Sequence, residues 1–112
     1  MILIKLTKNG KWAHCNQIYA GFEALAKQKL CSLQLFEEPA SAENSSMPAH
    51  VKVEIKNKTI IFDVDDGYQN YHGIQCLLKQ CDYYFKRSYK LETNQQLFPD
   101  DVQKIYPLGF NY

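Results

Sequence analysis

Three carboxylates within four positions are where the residue types of this chain first suggest chemistry. In TIIFDVDDGYQ, residues 59–69, an apolar run passes directly into Asp63, Asp65 and Asp66, and then Gly67. Carboxylates gathered at the end of a buried strand can hold a divalent cation, exchange a proton with a substrate, or close a turn and cap the helix that follows. A second polar cluster, Lys86, Arg87, Ser88 and Tyr89, leaves the aromatic run DYYF. Lys86 or Arg87 could balance the acids or hold a phosphate. Ligands of open parallel sheets bind beyond the carboxyl ends of the strands, so both clusters are expected on one rim.

The motifs that share these letters can be tested one by one. A calcium loop with its glycine at Gly67 needs an oxygen ligand where Phe62 stands and a glutamate where Gly73 stands, so it fails. A phosphotransfer enzyme with an Asp-x-Asp nucleophile would use Asp63 and Asp65, with Asp100 and Asp101 as a second acidic pair. Gly67, however, stands where that type prefers Thr or Val. A nucleotide-sugar Asp-x-Asp metal motif reads the same, but its usual fold needs a much longer chain. In the plainest reading Asp66 and Gly67 form a turn and the acids cap a helix, each contributing roughly 0.3–1 kcal/mol. His72 and Cys76 share a helix face and Cys81 follows, but the second half of a zinc site is missing. Cys15, Cys31, Cys76 and Cys81 form no C-x-x-C pair, which favours reduced and mostly buried thiols.

Positioning these residues falls to a chain of 112 residues, the size of one domain. A net charge of +1 gives no electrostatic case for nucleic acid or for an acidic partner. Apolar and aromatic content is that of a globular protein. No run approaches the roughly 18–20 apolar residues of a transmembrane segment. The start, MILIKLTKNGKW, is a strand-like apolar run broken by lysine, not a signal peptide, and the cytoplasm is the expected compartment.

The order of elements follows from periodicity. MILIKLT reads as a strand; a helix is expected over residues 16–29, with Asn16 as N-cap and Lys27 and Lys29 at its carboxyl end; CSLQLFE is a second strand. EEPASAENSSMPAH is a loop. VKVEIK alternates as a half-exposed strand, turns at Asn57 and Lys58, and returns as TIIFDV, apolar on both faces and so inside the sheet. A second helix is marked by Tyr71, Ile74, Leu77, Leu78 and Cys81, DYYFKRSY is a strand, and after a polar stretch KIYPLG is the last. Strand–helix–strand occurs twice around a hairpin. The expected fold is therefore α/β: a Rossmann-like single domain over residues 1–112, with a mixed, mostly parallel sheet flanked by helices.

This order of pieces resembles the N-terminal, acceptor-side half of bacterial glycosyltransferases of the GT-B type. The likeness is carried by HCNQIYAGFEALAK, FDVDDGYQ, CDYYFKRSY and IYPLGFNY, and it spans most of the chain. YFKRSY and PLGFNY are its most specific parts and DVDD its least. The resemblance implies transfer of a sugar from a nucleotide-sugar in surface polysaccharide or lipopolysaccharide assembly. It makes Asp65 the candidate base, and gives Asp63, Asp66, Lys86, Arg87, Ser88 and Tyr89 to substrate binding. It implies no metal and no cofactor of this half's own. The partners it implies are a C-terminal nucleotide-sugar domain and a glycan or lipid-linked acceptor, with no nucleic acid, in the cytoplasm or peripherally at the inner membrane face. The chain stops at Tyr112 without a Gly-rich phosphate loop, so it is expected to be a fragment or a stand-alone copy, inactive alone. The competing readings are the small Asp-x-Asp metal-dependent phosphotransfer enzyme and a non-catalytic interaction module.

Overall fold

A computed structural model describes residues 2–9, 12–37, 47–65 and 67–108. Asp66, the central part of the 37–50 loop and the terminal GFNY lie outside the described residues. In chain order the elements are β1 (Ile2–Asn9), α1 (Trp12–Lys27), β2 (Cys31–Glu37), β3 (His50–Ile55), β4 (Lys58–Asp63), α2 (Tyr71–Leu78), β5 (Tyr83–Lys86), α3 (Leu91–Leu97), a 3-10 turn (Val102–Lys104) and β6 (Ile105–Pro107). The strands form one six-stranded sheet in the order β2-β1-β3-β4-β5-β6. β1 pairs with β2 in parallel, as do β4 with β5 and β5 with β6, whereas β3 pairs antiparallel with both β1 and β4. The fold is therefore α/β with a mixed sheet, as expected, but the sheet is only partly parallel.

Alternation along the strands explains the layering. Ile4, Leu6, Val51 and Val53 are buried with Cys15, Ile18 and Tyr19 of α1, and Ile60, Phe62 and Phe22 pack against them. One residue out of phase, Ile61 and Tyr84 are buried with Ile74, Leu77 and Leu78 of α2 and with Phe98 and Ile105. β4 thus supplies both cores, which is why its sequence is apolar on both faces. β3 supplies one, and its alternate residues Lys52 and Glu54 are only partly buried, paired with each other at 3.7 Å.

Several boundaries depart from expectation. α1 begins at Trp12 rather than Asn16, and Asn16 is an exposed position inside the helix rather than its cap. The buried stripe starts a turn earlier, with Cys15, which joins Ile18, Tyr19 and Phe22 at helical spacing. The hairpin turns at Lys56 and Asn57, one residue before the expected pair. Lys56 adopts φ 54°, and Lys58 already pairs with Ile55. α2 stops at Leu78, short of Cys81, and β5 stops at Lys86, so that Arg87, Ser88 and Tyr89 lie beyond the strand. The polar stretch after them holds a helix, α3. Among the described residues no helix is long and apolar enough to cross a membrane.

Candidate functional site

The carboxyl ends of β4 and β5 lie side by side. Parallel register sets Asp63 opposite Lys86 and Ile61 opposite Tyr84, so Asp63, Tyr84 and Lys86 point to one face of the sheet. The pairing extends past the strands: Arg87 donates its backbone N–H to the Asp63 carbonyl at 3.0 Å. The acidic and basic clusters thus share a rim.

Asp63 is at the centre of a closed network and is fully buried. Its Oδ2 accepts the Tyr84 hydroxyl at 2.5 Å, and its Oδ1 accepts the Asp65 backbone N–H at 3.0 Å. Lys86 Nζ stands 3.6 Å from Oδ2, with neither side chain exposed. The same ammonium donates to the Gly67 carbonyl at 2.6 Å and sits 4.3 Å from the centroid of the Tyr68 ring. Gly67 adopts φ 75°, a left-handed conformation that glycine enters without steric cost. Tyr68 carries the network to α3, donating its hydroxyl to Asn94 Oδ1 at 2.6 Å and accepting the Lys90 N–H at 3.0 Å.

Burial pushes the Asp63 carboxyl above its ordinary value, and Lys86, the Tyr84 hydroxyl and the Asp65 N–H pull against it. Burial also holds the Tyr84 hydroxyl well above its ordinary value, with the Asp63 charge adding to the effect. Tyr84 therefore remains protonated and acts as a donor.

The other candidate residues lie around this closed centre. Asp65 is half-buried, and its Oδ2 accepts Asn70 Nδ2 at 3.3 Å. Arg87 is half-buried, with Nη1 donating to the Val64 carbonyl at 3.4 Å. Ser88 and Tyr89 are also half-buried, and Tyr89 packs against the core beneath α2. Asp63 and Lys86, by contrast, act on neighbouring groups of the chain and present no side-chain surface to solvent. Asp63 and Asp65 do not cap α2: its N-cap is Asn70 and its first turn holds no acidic residue.

Sequence reasoning passed over Tyr68, Asn70, Tyr84 and Asn94. Tyr84 was reachable, since it stands two residues before Lys86 and so shares its face; the others come together only through the path of the loop. His50 was also missed. It pairs in register with Asp63, is buried, and holds the Pro48 carbonyl 2.8 Å from Nδ1. The described residues bring together no group of three or more His, Cys, Asp or Glu side chains placed to hold a metal ion. All four cysteines are free thiols, and only Cys76 is exposed. No protein-family model, curated protein or solved structure matches this chain.

Proposed function

We propose that this rim is the acceptor-holding edge of the acceptor-side domain of a glycosyltransferase, with Asp65 as its base. One observation supports the reading above others: Asp63 is enclosed by Lys86 and Tyr84, which leaves Asp65 as the described carboxylate at the rim with surface toward solvent. The Asp65 backbone is held by the Asp63 carboxylate, and its side chain is oriented by Asn70. In this reading Asp65 takes the proton of an acceptor hydroxyl as that oxygen attacks the anomeric carbon and the nucleoside diphosphate departs. Arg87, Ser88 and Tyr89 hold the acceptor glycan. The nucleotide-sugar comes from a separate domain, and the work belongs to polysaccharide assembly in the cytoplasm or at the inner membrane face.

Amide NMR titration of the labelled chain tests this. A panel of oligosaccharides should shift Asp65, Gly67 and residues 87–89, and a nucleotide-sugar alone should not. Asp65→Asn should keep the fold and the oligosaccharide shifts, yet abolish transfer in a protein that carries a donor domain. Saturable Mg²⁺ binding that Asp65→Asn removes would instead favour the phosphotransfer reading. Silence toward every saccharide would favour the interaction module.

A further inference from the structure

The two edges of the sheet are built differently. β6, at one edge, is three residues long and ends in Pro107. Shortness and proline are the usual devices that stop an edge from recruiting another strand. β2, at the other edge, runs for seven residues, and CSLQLF carries neither charge nor proline before Glu37. No described strand pairs with its outer side. Leu35 and Phe36 are each 49 % exposed, and Leu30, just before the strand, is 59 % exposed. A row of backbone donors and acceptors at strand spacing is matched by another strand, and flanking apolar side chains add to its pull.

We propose that β2 is a homodimer interface, pairing antiparallel with β2 of a second copy about a two-fold axis at Gln34. The strand is close to self-complementary about that point. Leu33 falls opposite the partner's Leu35 on the face that carries α1. On the other face Gln34 falls opposite the partner's Gln34, and Ser32 opposite the partner's Phe36. The antiparallel sense also matches the charges. The strand is entered past Lys27 and Lys29 and ends in Glu37, so a two-fold sets the basic end of each copy beside the acidic end of the other. A parallel pairing would set like ends together. Side chains directly opposite across such a pair stand roughly 4.5–5.5 Å apart, close enough for each substitution to be felt twice.

Sedimentation and light scattering over a wide concentration range test the interface. The wild type should be a dimer, and Gln34→Lys, which sets two ammonium groups against each other at the axis, should weaken it by about a hundredfold or more. The variant should keep its circular dichroism, and its melting temperature should equal that of the wild type at dilutions where both are monomeric, because Gln34 is exposed. Gln34→Cys in a Cys76→Ser background should give an intermolecular disulfide on mild oxidation, which checks the register directly. A wild type that stays monomeric at the highest concentrations would overturn the proposal. So would a dimer that Gln34→Lys leaves intact, open-ended growth beyond the dimer, or pairing of β2 with a strand of another protein in its place.

Discussion

Asp63, Asp65 and Asp66 are equivalent as letters, and register separates the two that are described. Asp63 is the last residue of β4, and its alternation phase is that of Ile61, so its carboxylate is carried into the layer beneath α2. It must be met there, because a buried charge without a partner is strongly unfavourable. Lys86, Tyr84 and the Asp65 N–H meet it. Removing one side of such a pair should cost far more than removing both. Asp63→Leu leaves the Tyr84 hydroxyl and the Asp65 N–H without their acceptor and the buried Lys86 ammonium with the Gly67 carbonyl but no counter-charge, and should lose about 3–5 kcal/mol by urea denaturation. Lys86→Met should lose a comparable amount, since the buried Asp63 carboxylate then keeps only the neutral donors of Tyr84 and the Asp65 N–H. The double variant should lose clearly less than the sum, and a strictly additive cycle would show that the two groups do not act as a pair. The sequence placed acids and bases at adjacent strand ends but could not say which were buried, because that depends on where each strand stops. β5 ends at Lys86, so Lys86 falls inside the sheet and Arg87 outside it.

At the scale of elements, the strands and α1 and α2 were legible because burial imposes a period on them. β2 and the β3–β4 hairpin show it plainly, the first as a compact apolar run and the second as alternation giving way to a continuous apolar stretch. α3 was not legible. LETNQQL has no apolar stripe, and its buried residue is Asn94, held through the Tyr68 hydroxyl. A helix fixed by a polar contact leaves no hydrophobic period to read. The hairpin turn was misplaced because Lys56 accepts a positive φ without the glycine that would announce it. Lys56→Gly should therefore stabilise the fold by about 0.5–1 kcal/mol in thermal or urea unfolding, since a left-handed conformation strains a residue with a Cβ. A neutral or negative result would mean that the turn is held by something other than local backbone preference. Farther along, Asp101 ties the end of α2 to the turn before β6, accepting Lys79 at 2.7 Å and standing 3.5 Å from Lys104. The Lys79 hydrogen bond, outweighing a smaller effect of burial, holds the Asp101 carboxyl below its ordinary value. A lowered carboxyl stabilises the fold above the unfolded pKa, and that contribution is lost as pH falls through the folded one. Asp101→Asn should thus be less stable than wild type at neutral pH, and the gap should close only on acidification below the ordinary carboxylate range. A gap that is independent of pH would remove charge as its cause.

Across the whole molecule, the question is whether the layers on the two faces of the sheet open separately. The cysteines report on each. Cys15 and Cys31 are buried in the core beneath α1, and Cys81 in the core beneath α2. Cys76 is exposed and should react at once with a thiol reagent. Burial pushes the Cys81 thiol up to about 11, which keeps it inert while folded. Labelling of the three buried thiols then requires opening, and the opened state sets their rates. β4 joins the layers through the backbone, sending Ile61 into one core and Ile60 and Phe62 into the other. Freeing one layer leaves half of β4 without its packing, so the two cores should open together. Cys15, Cys31 and Cys81 should accordingly share one labelling rate in dilute urea, with the same urea dependence, far slower than that of Cys76. If Cys81 labels much faster than Cys15 and Cys31, the half built on α2 and β5 opens by itself. The rim at Asp65 and Arg87 would then rest on the less stable half of the protein, and saccharide shifts at the rim should fade at the urea concentration where Cys81, and not Cys15, becomes reactive.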